Sequence, residues 1–250
     1  MQHPRVSILM YHQVGEFRPM RKHRANYCDH RRFSAQMELV ARFYQVIDLE
    51  TALAGLYGQQ PLPRRALVLT FDDAYENFAE HAWPVLERHR LPAIVYAISG
   101  YLGRRAEWFA KDPGRPIPRL LSGARLRELH AAGMMIGSHT VDHLRLAELS
   151  PKQQRKQLAD SRAALEDLLG APVVHLCYPF GSFNAVTLEL APECGYQSAV
   201  TCLRGAATPQ DHPLALPRKA ISFGDSLLGY VWKLSLKHAP KPELTTWRRP

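Results

Sequence analysis

The sequence has no apolar run of 18 residues, and its four cysteines contain no CxxC pair. A helix needs about 20 mostly apolar residues to cross a bilayer, so we expect no membrane-spanning helix. A chain of 250 residues does not need disulfides to be stable, so we expect reduced thiols. The cysteines are Cys28, Cys177, Cys194 and Cys202. These observations argue against an integral membrane protein and against a disulfide-rich secreted scaffold.

The chain also lacks internal repeats, low-complexity tracts and shifts in composition. With 46% hydrophobic residues it can bury a full core. We therefore predict a single domain over residues 1–250, with its core at 6–222 and a C-terminal helix and tail at 225–250. The first ten residues have no small-residue cleavage site, so we expect no secretory signal and a cytoplasmic protein.

Positive charge exceeds negative charge, since 32 Lys and Arg against 23 Asp and Glu give a net charge of +9. Such an excess can indicate nucleic acid, an anionic lipid surface or an acidic substrate as the partner. Most of this charge is scattered, but six basic residues and two histidines fall within Arg18–Arg32. Two hypotheses fit that stretch: a solvated loop, or an anion clamp beside an active site.

Short apolar or β-branched runs alternate with helical patterns, which is typical of a parallel sheet or barrel. The predicted strands are Val6–Tyr11, Ala66–Thr70, Ala93–Ala97, Met134–Gly137, Val173–Cys177, Ser198–Thr201 and Arg218–Ser222. The predicted helices are Tyr75–His89, the segment from Ser122 to Gly133, the segment from Ser150 to Gly170, and Asn184–Cys194. Two segments rich in Gly, Pro and Arg, Gly55–Arg65 and Gly103–Pro118, are predicted to be surface loops.

Two carboxylates, Asp72 and Asp73, follow an apolar predicted strand. In βα folds functional groups collect at the carboxyl ends of the strands. Because adjacent residues point in different directions, one carboxylate can bind a cation while the other faces the space beside it. An Asp pair in this position can also be a helix N-cap, so the pair alone does not identify a site.

Two histidines, His139 and His143, follow another predicted strand, Met134–Gly137. Histidines four residues apart can face one point, although such pairs also occur by chance among 12 histidines. Together with a carboxylate they make three protein ligands and leave a position open for water, as in catalytic zinc sites. The remaining carboxylate can then serve as a general base.

Three motifs occur in a fixed order: Thr70–Asp73, Ser138–His143 and Tyr178–Gly181. Taken alone, the third is an aromatic loop with a structural role. Together the three motifs resemble those of the polysaccharide deacetylases of the NodB-homology group, over about residues 6–221. The resemblance implies an α/β fold, a distorted (β/α) barrel with about seven strands. It also implies hydrolysis of an N-acetyl amide, usually on N-acetylglucosamine, by a metal-bound water.

The resemblance assigns roles to individual residues of this chain. The implied roles are Asp72 as catalytic base, Asp73, His139 and His143 as metal ligands, and Phe180, with Tyr178 and Pro179, at the substrate and oxyanion position. By the same resemblance, the backbone N–H of Phe180 is expected to donate to the oxyanion. We expect a divalent metal, zinc above all, although two histidines and one aspartate also accept cobalt, nickel or iron.

The general acid and the residue that orients the base depart from the family pattern. The late Leu-x-His motif that supplies the acid in many relatives is absent, and His238 is a poor substitute. The start of the chain resembles the subgroup that deacetylates poly-N-acetylglucosamine, which makes His12 the candidate acid; the alternative is a core or loop histidine. Cys177 stands where many relatives have the orienting arginine. Arg218 is the candidate replacement, and a surface arginine is the alternative.

Other functions remain open. The same metal site would serve an amidohydrolase acting on a small amide, a cyclic imide or a lipid-linked sugar phosphate. An anionic or lipid-linked glycan would suit the basic stretch Arg18–Arg32 and would bring the protein to a membrane surface. A catalytically inactive carbohydrate-binding protein would be expected to have lost the base or a ligand, and all four residues are present. No nucleic-acid recognition motif accompanies the positive charge, so we expect no nucleic-acid partner.

Overall fold

The structure, a computed structural model, describes residues 4–58, 60–110 and 115–236. The strands in this part of the chain are β1 (Ser7–Tyr11), β2 (Gln13–Gly15), β3 (Tyr27–Asp29), β4 (Gln45–Val46), β5 (Ala66–Phe71), β6 (Ile94–Ala97), β7 (Met135–Ser138), β8 (His175–Cys177), β9 (Ser198–Arg204) and β10 (Leu216–Ala220). The helices are α1 (His30–Phe43), α2 (Leu49–Leu56), α3 (Trp83–His89), α4 (Gly123–Ala131), α5 (Pro151–Leu169), α6 (Ala185–Glu193) and α7 (Leu227–Ser235).

Seven strands close into a parallel barrel. Their order is β1, β10, β9, β8, β7, β6 and β5, and β5 pairs back with β1. The short strand β4 adds to β5, while β2 and β3 form a separate two-stranded sheet. This architecture confirms the predicted distorted (β/α) barrel of about seven strands. Each barrel strand matches a predicted strand, with ends that differ by three residues or fewer.

Alternate residues of the strands pack inside and outside the barrel. The inner cluster includes Ile8, Val68 and Val200, and α2 adds Leu49 and Leu56 to it. The outer cluster joins the other face of the strands to the surrounding helices. Burial on both faces explains why the strands are continuous apolar runs in the sequence rather than alternating patterns.

The capping residues predicted for α4 and α5 are present in the structure. Ser150 caps α5 in a capping box with Gln153, as predicted, and Gly170 ends that helix in the left-handed conformation. Ser122 caps α4 through the Arg125 N–H. A wide helical turn, Phe78–Ala82, precedes α3 and takes the place of the predicted helix start.

Two loop predictions were wrong at their ends. The basic stretch Arg18–Arg32 is not a loop throughout, because it contains β3 and the start of α1. The Asp29 side chain accepts from the N–H groups of Arg31 and Arg32, so it caps a helix whose first turn is strongly basic. The other loop, Gly55–Arg65, begins inside the last turn of α2.

No helix in the described ranges is long and apolar enough to cross a membrane. The predicted helix near the C-terminus is present as α7. The predicted tail beyond residue 236 and His238 lie outside the described residues.

His175 opens β8 and gives the fold a dependence on pH. Its side chain is 2% exposed, and Nδ1 lies 2.9 Å from Oγ of Ser198. Burial lowers the pKa of His175 from 6.5 to about 4. Between these values the unfolded chain binds a proton that the folded chain does not, so the free energy of unfolding falls as the pH drops through this window.

We expect the substitution His175→Gln to remove up to about 3 kcal/mol of this acid destabilisation, because it removes the titrating group. Denaturant titrations of both proteins across the same pH window measure the effect. His130→Gln, on α4, is the matched control and should keep the wild-type profile. Parallel profiles for wild type and His175→Gln would show that His175 does not carry this dependence.

Candidate active site

The candidate site begins where β5 ends. Asp72 and Asp73 follow the strand directly, and each is only 3% exposed. Asp73 and Ala74 have positive φ angles of 70° and 54°. Residues other than glycine seldom adopt this conformation, and folds tolerate its cost mainly at functional sites. The turn sends the two adjacent carboxylates into different surroundings.

Asp73 meets the two histidines that follow β7. Nε2 of His139 and Nε2 of His143 lie 3.1 and 3.3 Å from Oδ1 of Asp73. One ligand atom from each residue falls within 4.8 Å of the other two, and all three residues are buried. His143 has a positive φ of 55°, which again marks strained backbone at the site.

The three side chains fit a divalent metal. Oδ1 of Asp73 is buried between two imidazole nitrogens, and it accepts no hydrogen bond from the described residues. A bound cation would satisfy such an oxygen. Two imidazoles and one carboxylate are the donor set of catalytic zinc sites, in which further positions stay open.

Neighbouring groups orient two of these three side chains. Nδ1 of His139 lies 2.6 Å from the Cys177 carbonyl oxygen, so Nδ1–H donates there and Nε2 is the nitrogen turned towards Asp73. The Tyr75 hydroxyl donates to Oδ2 of Asp73 at 2.6 Å. Burial alone would raise the pKa of Asp73, but the imidazoles of His143 and His139 hold that pKa well below its ordinary value.

Asp72 is held by a guanidinium group. Nη1 and Nη2 of Arg218 donate to its two carboxylate oxygens, each at 2.7 Å. The other N–H groups of Arg218 donate to the Thr201 carbonyl at 2.9 Å, to Oγ1 of Thr70 at 2.9 Å and to Sγ of Cys177 at 3.3 Å. All five donors of this guanidinium therefore have acceptors, which fixes its plane and that of the carboxylate.

Arg218 is 1% exposed, so the alternative of a surface arginine is wrong. Burial raises the pKa of Asp72, but the charge and hydrogen bonds of Arg218 outweigh burial and lower that pKa below its ordinary value. Asp72 is therefore an ionised carboxylate at neutral pH. The placement of Arg218 is the one expected of a residue that orients the base.

His12 lies on another side of Asp72. It follows β1 directly, and its Nε2 is 3.8 Å from Oδ2 of Asp72. Its side chain is 15% exposed, so the imidazole borders the site without being sealed in the core. The structure thus places His12 beside Asp72, the candidate base. The role of His12 as general acid stays a prediction.

Of the three residues predicted at the substrate and oxyanion position, only Phe180 has an exposed side chain. It is 46% exposed, has a φ of 58°, and its ring centre lies 4.6 Å from that of His143. Tyr178 and Pro179 are buried, and the Tyr178 hydroxyl donates to the Leu214 carbonyl at 2.8 Å. The Tyr178 hydroxyl therefore supports the loop, and the position of Tyr178 and Pro179 beside the substrate stays a prediction.

Two residues of the basic stretch Arg18–Arg32 hold a neighbouring loop in place. Nη1 of Arg32 donates to the carbonyl oxygens of Phe223 and Asp225, at 3.2 and 3.3 Å. The Phe223 N–H donates to the Arg24 carbonyl. These contacts fix the loop between β10 and α7. The anion clamp stays a prediction.

Sequence reasoning missed two residues beside the metal-ligand cluster. Trp108 lies in the segment predicted only as a surface loop, and its ring centre is 4.4 Å from that of His143. The guanidinium of Arg145 lies 4.4 Å from the ring centre of Phe180. The available cue was the aromatic pair Trp108 and Phe109 in a segment otherwise rich in Gly, Pro and Arg.

Comparison with known proteins gives consistent matches. The profile of the polysaccharide deacetylase family matches residues 59–199, more than half of the chain. The protein YxkH of Bacillus subtilis (strain 168) is 29% identical over 223 residues, which is 89% of this chain and 73% of that protein. The poly-β-1,6-N-acetyl-D-glucosamine N-deacetylase of Staphylococcus aureus (strain MSSA476) is 26% identical over 172 residues. That match covers 64% of this chain and 56% of that enzyme.

Solved structures share the fold. The Streptococcus pyogenes deacetylase PplD in complex with acetate aligns with a TM-score of 0.79 at 24% identity, covering 93% of this chain and 99% of that one. IcaB from Ammonifex degensii aligns with a TM-score of 0.77 at 23% identity, covering 94% and 99%. Because both identities are below 25%, these alignments establish the barrel fold alone. Any inference about the reaction has to come from the residues at the site.

Proposed function

The chain belongs to the polysaccharide deacetylase family, and from that premise we propose that it is a metal-dependent hydrolase that removes N-acetyl groups from an N-acetylated sugar. The observation that carries the proposal is that two adjacent buried carboxylates have different kinds of partner. Asp73 faces two imidazoles, while Asp72 is held by a guanidinium. One carboxylate is thereby suited to bind a metal and the other to accept a proton.

Asp73, His139 and His143 would hold the metal. Bound there, a divalent metal supplies Lewis acidity that polarises the acetyl carbonyl and lowers the pKa of water. Zinc suits two imidazoles and one carboxylate, and cobalt, nickel or iron are also accepted by this donor set.

The remaining residues move protons and receive charge. Asp72, kept ionised by Arg218, takes the proton of the attacking water. The backbone N–H of Phe180 donates to the carbonyl oxygen as negative charge develops on it. His12 gives a proton to the leaving nitrogen, so the amide C–N bond breaks to acetate and an amine. These three roles come from the family resemblance; the bidentate contact of Arg218 with Asp72 and the 3.8 Å between His12 and Asp72 support those of Asp72 and His12.

We expect N-acetylglucosamine-type saccharides as substrates, which is also what the name of the Staphylococcus aureus relative states for that enzyme. An anionic or lipid-linked glycan is the second candidate, favoured by the exposed positive charge of Arg18, Arg21 and Lys22. Both candidate substrates contain an acetamide group. They differ in whether a negatively charged group lies next to it.

Acetate release by the zinc-loaded protein tests the proposal. The panel contains polymeric and oligomeric N-acetylglucosamine and a lipid-linked N-acetylated sugar phosphate, and Asp72→Asn is the control protein. We expect release from at least one member by the wild type and release at least about 100-fold slower by the variant. The absence of release from every member by zinc-bound wild type would overturn the proposal and favour another amide substrate or a binding function.

Replacing His12 with alanine is expected to lower turnover by about 10²-fold, because the leaving nitrogen loses its proton donor. Metal content should be unchanged, since His12 is not part of the ligand cluster. Initial rates and elemental analysis of the same preparations measure both. His89→Ala, at the end of α3, is the matched control. Full activity of His12→Ala would rule out the acid role.

A further inference from the structure

The imidazole of His143 contacts two aromatic rings, which come from two different loops. Its ring centre lies 4.4 Å from that of Trp108 and 4.6 Å from that of Phe180, with interplanar angles of 39° and 46°. Within the described ranges these two rings make no ring contact with each other, so they approach His143 from different sides. Such tilted contacts at this spacing are favourable for aromatic groups.

His143 differs from His139 in the hydrogen bonding of its second ring nitrogen, Nδ1. Nδ1 of His139 is fixed by the Cys177 carbonyl at 2.6 Å. Nδ1 of His143 is buried and has no hydrogen-bond partner in the part of the chain that the structure describes. A metal-binding histidine is ordinarily oriented by a hydrogen bond at that nitrogen. Packing is therefore the remaining means of orienting His143.

Both rings are themselves held in place. The Arg145 guanidinium lies 4.4 Å from the ring centre of Phe180, and the Tyr101 ring meets Trp108 edge-on at 5.4 Å. Phe180 has a φ of 58°, a conformation that a bulky residue adopts only when the surroundings require it.

We propose that Trp108 and Phe180 are positioning residues, which hold the His143 imidazole in its metal-binding orientation through ring contacts instead of a hydrogen bond. The inference rests on the proposed metal site. It assigns Trp108 a role in the affinity of the protein for its metal. It adds to Phe180 a side-chain role that is separate from the N–H it presents through its backbone.

Loss of an outer-shell contact typically weakens metal binding about 10- to 100-fold. We expect Trp108→Leu and Phe180→Leu each to raise the zinc dissociation constant about 10-fold, the lower end of that range, because each leaves the other ring in place. The double variant should weaken zinc binding by about 100-fold or more, because both rings contact His143 and neither is left to hold it. Trp108→Phe keeps an aromatic ring and should stay close to the wild type.

Competition between the apoprotein and a chromophoric chelator for zinc measures these constants without reference to activity. Trp232→Leu, on α7, is the matched Trp-to-Leu control and should not change zinc affinity. Thermal unfolding of each apoprotein shows whether the fold is retained. If Trp108→Leu does not fold, Phe180→Leu alone carries the test, because its side chain is half-exposed.

Zinc affinities of Trp108→Leu and Phe180→Leu equal to the wild-type value would overturn the inference. A value for Trp108→Phe as weak as that for Trp108→Leu would also overturn it, because the ring would not be what matters. Failure of the metal site itself has a different signature: the wild-type apoprotein would bind no zinc, or His139→Ala would bind it as tightly as the wild type.

Discussion

Replacing Asp72 with asparagine is expected to lower turnover by about 10²- to 10⁴-fold, the usual contribution of a general base. Asparagine keeps the shape of the side chain but takes up no proton. In the wild type the bidentate contact with Arg218 keeps Asp72 ionised and aligned. The variant should retain its metal, because Asp72 is not one of the three clustered ligands. Initial rates of acetate release and elemental analysis measure both expectations.

Asp160→Asn is the matched control, since Asp160 lies on the exposed side of α5 and pairs with Lys156. It should behave as the wild type. Wild-type turnover by Asp72→Asn would remove Asp72 from the mechanism. Loss of metal from Asp72→Asn would instead make Asp72 a ligand and require a different base.

Replacing Arg218 with methionine is expected to cost both activity and stability. Asp72 would remain buried without its partner, and breaking a buried ion pair in this way typically costs about 3–5 kcal/mol. Turnover should fall by about 10²-fold or more, because the carboxylate loses both its orientation and its ionisation. Denaturant unfolding gives the change in the free energy of unfolding, and initial rates give the change in turnover.

A double-mutant cycle separates the ion pair from the packing of the arginine stem. In an Asp72→Asn background no charge is left unpaired, so Arg218→Met should cost clearly less stability there than in the wild type. Arg218→Lys should not restore activity, because an ammonium cannot make the bidentate contact. An equal cost of Arg218→Met in both backgrounds would show that the arginine does not stabilise the fold through Asp72.

The barrel could be predicted because its strands are buried on both faces. Segments such as Ala66–Phe71 are therefore short apolar runs bounded by loops, which are easy to recognise. Both ends of α5 could also be predicted, because Ser150 and Gln153 cap its start and Gly170 ends it, and these capping interactions are local in sequence. The start of α1 was not, because its basic first turn is typical of a loop and only the Asp29 cap indicated a helix.

The site was predictable only where its residues are close in sequence or carry a family motif. His139 and His143 are four residues apart, whereas Arg218 lies 146 residues from Asp72 and meets it only when β10 closes the barrel. Nothing local distinguishes Arg218 from a surface arginine. The contact between Trp108 and His143 likewise depends on how two loops fold over the end of the barrel.

Chelation followed by zinc restoration shows whether acetate release depends on a metal held by Asp73, His139 and His143. We expect the wild-type protein to bind about one zinc per chain, as three protein ligands around one ion require. Acetate release from N-acetylated saccharide should be lost with the metal and regained with it, and His139→Ala and His143→Ala should neither bind zinc nor release acetate. Acetate release at the wild-type rate by the metal-free protein would show that the reaction does not use a metal.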